Sequence, residues 1–319
     1  MNGYQIITDS TTDLSPALAE ELGIEIIPME ITLSGASYLQ FPDERALSNR
    51  TFYERLASGE TATTNQINAT TFTETFERYL QAGTDVLYIG FSSGLSGTYN
   101  NSRLAAQELS EKYPGRRILV LDSLAASMGE GLLVYHAVQK QRGGMGIDEL
   151  ASWVEANRNR LAHWFTVDDL NFLKRGGRVS GAAALFGTML GIKPVLHVDN
   201  DGHLIPVEKV RGRKNALDAL VNHMEKAVEH PENQAIFISH GNAPEDAEYS
   251  GGLAGPVCDP FPCHGIPPQL SSAGASGACS SWSVRAMEIT WSPSSLKRMT
   301  MTPWVARPAE RMLSTGVRI

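Results

Sequence analysis

Three short segments of this 319-residue chain place hydroxyls, glycines and carboxylates at spacings suited to holding an anion. They are Asp9-Ser10-Thr11-Thr12-Asp13, Ser92-Ser93-Gly94-Leu95-Ser96-Gly97-Thr98 and Asp122-Ser123. Each follows an Ile-, Leu- and Val-rich run, and open α/β sheets bind ligands just beyond the ends of such strands. In the second segment Ser96 stands where a helix begins at Gly97, so its hydroxyl and the first backbone N–H groups of that helix converge. Gly94 and Gly97 allow a carboxylate or phosphate to approach the backbone closely. A serine in that place also caps a helix with no ligand present, and on these residues alone the two readings stand level. Thr63-Thr64-Asn65-Gln66 offers more donors in what reads as a polar loop before a helix, and by itself it is a turn.

Asp9 and Asp122 have the right chemistry for a metal or phosphoryl site at a strand end. That gives an alternative reading, a metal-dependent hydrolase or transferase of small phosphorylated molecules with the Ser96 helix as its anion site. Aspartate at such a position more often caps the turn that follows, and that structural role is expected here. Other catalytic templates are missing from the sequence: no Gly-x-x-x-x-Gly-Lys-Ser/Thr loop, no Gly-x-Ser-x-Gly elbow and no His-Glu-x-x-His helix. Gly129-Glu130-Gly131 follows a strand, but Val134 stands where a dinucleotide fingerprint needs a small residue, so no nicotinamide cofactor is expected. The eight histidines are scattered without ligand spacing, and no catalytic residue and no metal site is assigned.

The elements that must position these segments follow from apolar patterning. Strands are predicted at Tyr4 to Thr8, Ile24 to Ile27, Val86 to Ile89 and Ile118 to Leu121, as near-continuous apolar runs of a sheet covered on both faces. Ser15 before Pro16 opens a helix that Gly23 stops, and Phe72, Phe76, Tyr79 and Leu80 repeat at helical spacing before Gly83. After a break at Gly143, Gly144 and Gly146, a helix carries Ile147, Leu150 and Val154. The character then changes. A strand at Trp164 to Val167, a hairpin of Val195 to Val198 and Leu204 to Val207 turned at Asp201-Gly202, a helix striped by Leu217, Leu220, Val221, Met224 and Val228, and a strand at Ala235 to Ser239 form a second unit. The expectation is an α/β protein of two α/β domains. Residues 1–160 form an N-terminal domain with a parallel sheet, flanking helices and the anion site, and 161–248 a smaller C-terminal αβ domain.

Bulk properties narrow the function classes. A net charge of −8 argues against nucleic acid, which demands an excess of clustered cations. No run approaches the ~18 apolar residues of a membrane span, and the first residues do not read as an export signal, so a cytoplasmic protein is expected. The three cysteines, Cys258, Cys263 and Cys279, show no zinc or redox spacing and cannot make a disulfide scaffold.

Taken in order, several blocks resemble the DegV family of bacterial fatty-acid-binding proteins, which present an acyl chain to a partner kinase. The blocks are Thr8 to Ser15, Gly35-Ala36-Ser37-Tyr38, Ser92 to Tyr99, Asp122-Ser123, Leu170-Asn171-Phe172-Leu173-Lys174-Arg175-Gly176-Gly177-Arg178-Val179-Ser180 and Gly191-Ile192-Lys193-Pro194. Together they span about three-quarters of the chain, and their fixed order is more specific than any one of them. The resemblance implies a non-catalytic lipid carrier with no cofactor beyond a bound long-chain fatty acid, and a fatty acid kinase as partner. It also implies that Thr64 and Ser96 bind the carboxylate. Asn65 and Ile67 replace the Ser and Pro usual in the first of those loops, so a less rigid loop is expected. The run Ala182 to Leu190 suits an apolar slot for the acyl tail, and equally a plain core helix. Lys209, Arg211, Arg213 and Lys214 form a basic cluster that reads as solvated surface; the resemblance adds a role for Arg211 in docking the kinase or neutralising an acyl phosphate.

The resemblance stops short of the C-terminus. Family members usually close with a strand, a His-containing Gly-rich loop and a final apolar strand, whereas residues 249–319 here are crowded with Ser, Gly and Pro and hold three of the five tryptophans. His264 does not sit in a matching loop. This stretch is expected to be an atypical, poorly ordered tail, as a reading-frame slip near Tyr249 would produce, and to leave the second sheet short of an element.

Overall fold

The computed structural model describes residues 3–168, 177–178, 191–228 and 234–254, and the backbone of 286–291. The expected acyl slot at Ala182 to Leu190, the three cysteines and His264 lie outside the described residues.

A four-stranded parallel sheet carries the first half, in the order β2-β1-β6-β7: Tyr4–Asp9 (β1), Glu25–Ile27 (β2), Asp85–Gly90 (β6) and Ile118–Asp122 (β7). These are the predicted strands, shifted by a residue or two. Ile7, Val86, Leu87, Tyr88 and Ile89 are fully buried, because helices cover both faces. Helix α1 (Pro16–Leu22) begins where Ser15 accepts the Leu18 N–H at 3.2 Å and ends at Gly23 in the left-handed region, φ +67. Helix α3 (Ala69–Gln81) opens on Asn68, which accepts the Thr71 N–H, and buries Phe72, Phe76 and Leu80 against Tyr88. Helix α4 is Thr98–Lys112, α5 is Ser127–Arg142 and α6 is Ile147–Asn157.

Between β2 and α3 the chain builds a small antiparallel sheet that the sequence reading did not contain. Met29–Leu33 (β3) is flanked by Ala36–Gln40 (β4) and Ala62–Asn65 (β5), and helix α2 (Asn49–Ala57) covers it with Phe52, Tyr53 and Leu56. Thr63 to Asn65 are therefore an edge strand, not a loop, with Thr64 opposite Ile31. The pairing to β3 overrides the turn-like composition of Thr-Thr-Asn.

The second half forms a five-stranded, wholly antiparallel sheet in the order β10-β9-β8-β12-β11. Its strands are Ala162–Val167 (β8), Ile192–Val198 (β9), Leu204–Arg211 (β10), Ile236–Gly241 (β11) and Ala286–Trp291 (β12). Helices α7 (Arg213–Ala227) and α8 (Pro244–Ala254) accompany it, and Leu217, Leu220, Val221 and Met224 of α7 are buried as the apolar stripe required. Two expectations about the C-terminal stretch need correction. Helix α8 runs through residue 248 to Ala254, and β12 lies between β8 and β11, so the sheet does not lack that strand. Ala-Met-Glu-Ile-Thr-Trp alternates with period two, a signal too short to stand out from its Ser- and Gly-rich surroundings.

The two halves share apolar packing. Phe91, Leu95 and Ala126 form one cluster with Phe165, Val167, Leu196, Val198 and Leu204. This seam brings the second sheet against the loops at the C-terminal ends of β6 and β7.

Candidate functional site

The three loops that follow β1, β6 and β7 have different fates. Ser10, Thr11 and Thr12 are buried in a 3-10 turn, and Ser10 Oγ accepts the Met29 N–H at 2.9 Å. Asp9 is fully buried: Oδ1 accepts the Thr11 N–H (3.0 Å) and hydroxyl (2.5 Å), and Oδ2 accepts the Tyr88 hydroxyl (2.5 Å) and the Phe91 N–H (3.3 Å). Asp122 Oδ1 accepts the N–H groups of Ser93 and Leu124, both at 3.1 Å. Both aspartates therefore do what strand-end aspartates were expected to do, tying loops to one another.

Glu130, to which the sequence assigns no role, is also fully buried, beside Asp9. The Thr11 hydroxyl lies 2.6 Å from Glu130 Oε2 and 2.5 Å from Asp9 Oδ1, yet it has one hydrogen. The Thr8 hydroxyl, 3.3 Å from Glu130 Oε1, also reaches the Ile89 carbonyl at 2.8 Å. Two anions cannot both be served by Thr11, so one acid must supply the missing proton. Burial raises the pKa of both carboxyls, and the Asp9 charge raises Glu130 further. Asp9 has four donors, so the proton belongs on Glu130, which gives it to Thr11 Oγ1 while Thr11 gives its own to Asp9.

The loop after β6 borders the larger of two described cavities; the loop after β1 lines a much smaller one, of about 20 Å³, with Gln40, Phe41, Pro42 and Asn49. The larger cavity, of about 380 Å³, is lined by Met29, Thr64, Asn65, Gln66, Leu95, Ser96, Gly97 and Arg178. The structure thus brings together Thr64, on an edge strand of the small sheet, and Ser96, at the start of α4. Two hydrogen bonds fix their relation: the Ile67 N–H donates to Thr98 Oγ1 (3.3 Å), and Asn101 Nδ2 donates to the Ile67 carbonyl (2.8 Å). Ile67 is itself buried. The segment after Thr64, expected to be loose without its usual proline, is clamped on both backbone polar groups by α4.

Ser96 is half-buried, and its oxygen accepts the Thr98 N–H at 3.2 Å, so the capping function is real. Its hydroxyl also lies 3.0 Å from Thr98 Oγ1. When Thr98 donates in that pair, the Ser96 hydrogen is left for a cavity ligand, so the capping and binding roles coexist. The N-cap position itself is Gly97, which has no side chain and lines the cavity, so the N-terminus of α4 opens on the same region. A Cβ on Gly97 would overlap Gln66 Oε1, so a larger residue there would displace the Gln66 amide from its present place. Leu95 and Met29 supply apolar wall, and Arg178 is the cation of the lining, with Nε 3.4 Å from the Leu95 carbonyl.

Gly97 was expected to let an anion approach and Gln66 was among the possible donors, but Arg178 had no assigned role. Arg178 does lie within the quoted Leu170 to Ser180 block, the one signal pointing to it. In the basic cluster, Arg213 is paired with Asp246 (2.9 Å) and Asp168 (3.6 Å), whereas Lys209, Arg211 and Lys214 are exposed. Among the described residues, one group has ligand atoms near enough to share a metal: Asp199, Asp201 and His203. It lies in the β9–β10 turn, where Asp199 Oδ1 accepts the Asp201 and His203 N–H groups. Its sequence spacing matches no metal motif.

A cavity at the C-terminal edge of a parallel sheet, walled by the small antiparallel sheet through Met29, Thr64 and Asn65, invites comparison with known proteins. A family model described as "Uncharacterised protein, DegV family" matches residues 4–250. The chain belongs to the DegV family. A DegV domain-containing protein of Clostridium perfringens is 44% identical over 248 residues, covering 78% of this chain and 85% of that relative. One from Lactococcus lactis is 40% identical over 247 residues, covering 77% and 84%. Among solved structures, a DegV family protein from Thermus thermophilus, described by its fatty acid binding, superposes with a TM-score of 0.77 at 27% identity and covers 91% of this chain and 99% of its own. A fatty-acid-binding DegV family protein from Streptococcus agalactiae gives 0.74 at 25% identity, covering 92% and 99%. The expected α/β fold with its parallel sheet is that of the DegV structures. Among the described residues, no helix is long and apolar enough to cross a membrane.

Proposed function

We propose that this DegV family member is a non-catalytic carrier that binds a long-chain fatty acid, with Thr64 and Ser96 holding the carboxylate. One observation carries the reading: residues 32 apart in sequence, one on an edge strand of the small sheet and one on a loop of the parallel sheet, line one cavity with apolar and hydroxyl walls together. Hydroxyls and the α4 N-terminus suit a single carboxylate charge, and Arg178 at the same wall adds to the field without enclosing it. Fatty acid binding by the structural relatives supports the same ligand class. The competing hydrolase reading loses its acids, since Asp9 is sealed by four protein donors and Asp122 is buried and ties two loops.

The carrier acts in the cytoplasm and presents its acyl carboxylate to a fatty acid kinase, with the exposed Arg211 as a contact; the family resemblance supports this part. The site belongs to an N-terminal unit ending near residue 160, with the antiparallel sheet as the second unit. Organic extraction and mass spectrometry of freshly purified protein test the carrier reading directly. Near-stoichiometric fatty acid is expected from the wild type, and a loss of at least tenfold from Thr64→Ala combined with Ser96→Ala. Undiminished lipid in that double variant would place the head group elsewhere.

A further inference from the structure

The β9–β10 turn packs into the first half. It is closed by Gly202 N–H to Asp199 O and Asp199 N–H to His203 O, both 3.0 Å. Gly202, buried at φ +76, presents its carbonyl to the loop after β6, where the buried Ser92 hydroxyl donates to it at 2.9 Å. Neither side has room for a methyl group. A Cβ on Gly202 would overlap Ser92 Oγ and come within 3.1 Å of Leu124 Cα; a Cβ on Gly94 would lie 2.9 Å from the Asp201 carbonyl oxygen. Since Asp122 Oδ1 holds Ser93 and Leu124 together, the turn rests on two loops already joined.

Ser92 also faces the cavity side through its backbone. Its carbonyl accepts the N–H groups of Leu95 (3.1 Å) and Ser96 (3.2 Å), and its Oγ accepts the Gly94 N–H at 3.2 Å. One buried residue thus grips the antiparallel sheet's turn with its side chain and the Ser96 backbone with its carbonyl. It is not on the cavity wall.

We propose that the Ser92–Gly202 contact is a latch through which the antiparallel sheet sets the position of Ser96, making Ser92 a positioning residue that acts on lipid affinity only through Ser96. This inference rests on the reading of the cavity as a carboxylate site. Its physical content is that the affinity of the first sheet's loop is tunable from the second sheet, by any change that shifts the turn at Gly202. A hydrogen bond weakens steeply as its donor loses alignment, so a small shift of the Ser96 hydroxyl is enough to change affinity.

A double-mutant cycle on the full-length, delipidated chain tests it, with hexadecanoate as the probe and equilibrium dissociation constants as the readout. Ser96→Ala is expected to weaken binding about tenfold or more, as loss of a hydrogen bond to a charged group does, and Ser92→Ala about three- to tenfold. In the Ser96→Ala background, Ser92→Ala should add less than about twofold. Gly94→Ala wedges the same contact from the half-buried side and is expected to show the same non-additivity, which keeps the test open should Ser92→Ala fail to fold. Additive losses in both cycles overturn the latch and leave the carboxylate site standing. A Ser96→Ala protein that binds hexadecanoate like the wild type overturns both.

Discussion

Replacing Glu130 with glutamine should remove a pH dependence of stability that the wild type carries. In the folded protein Glu130 is fully buried, and burial together with the Asp9 charge holds its pKa well above the ordinary carboxylate range. In the unfolded chain it titrates near ~4.3. Above that pH the unfolded chain has released a proton that the folded chain keeps, so folding takes up a proton and the contribution to stability declines as pH rises. The decline ends only when pH passes the folded pKa. Each pH unit in that window is worth ~1.4 kcal/mol, and a proton kept across two units amounts to about 3 kcal/mol. Glutamine has the same shape, and its amide donates to Thr11 Oγ1 permanently, so Thr11 still donates to Asp9. Urea midpoints of wild type and Glu130→Gln, taken from pH 4.5 upward, measure the difference while other titrating groups cancel. The variant should gain on the wild type steadily with pH. Parallel curves would mean that folding takes up no proton here, and the hydrogen count at Thr11 would have to be redrawn.

Tyr88→Phe keeps the ring that packs on Phe72 at 5.0 Å but deletes a donor to the buried Asp9, and should lower unfolding stability by about 1.5–3 kcal/mol; an unchanged denaturant midpoint would show that Asp9 does not depend on that bond. Arg211→Glu should leave extracted fatty acid at wild-type stoichiometry while reducing acyl phosphate formation by a fatty acid kinase, and unchanged phosphorylation would remove Arg211 from the interface.

What the sequence disclosed, and what it hid, divides along physical lines. The parallel strands, α1, α3, α6 and α7 were legible because each buries one recognisable stripe or run, and Ser15 and Gly23 bound α1 while Gly146 opens α6. Helix α5 gave no periodic signal, since Ser127 to Val134 is buried on nearly every side and nothing polar marks an outer face. The small sheet was hidden for the opposite reason. Glu30, Thr32, Ser37, Thr63 and Asn65 are polar because one face of β3, β4 and β5 is open, and their Thr- and Ser-rich strands imitate loops until pairing is known.

The site shows the same division. Ser96 could be suspected from its own segment, because a hydroxyl beside glycines at a helix start is a local arrangement that the sequence records. Thr64 could not, since nothing within Thr63 to Gln66 says what it faces; only the resemblance named it. Its place depends on three non-local facts: β5 pairs with β3, Ile67 is held by Thr98 and Asn101, and Gly97 makes way for Gln66. The buried acids follow this rule from the other side. Asp9 carries chemistry that first suggests catalysis, yet its surroundings assign its carboxyl and that of Glu130 to holding β1, β6 and α5 together and leave the cavity to hydroxyls and Arg178. A carboxylate ligand is better retained there than beside Asp9 and Glu130, because a second anion next to those buried acids would meet repulsion, whereas at Ser96 it meets donors and the positive end of a fifteen-residue helix.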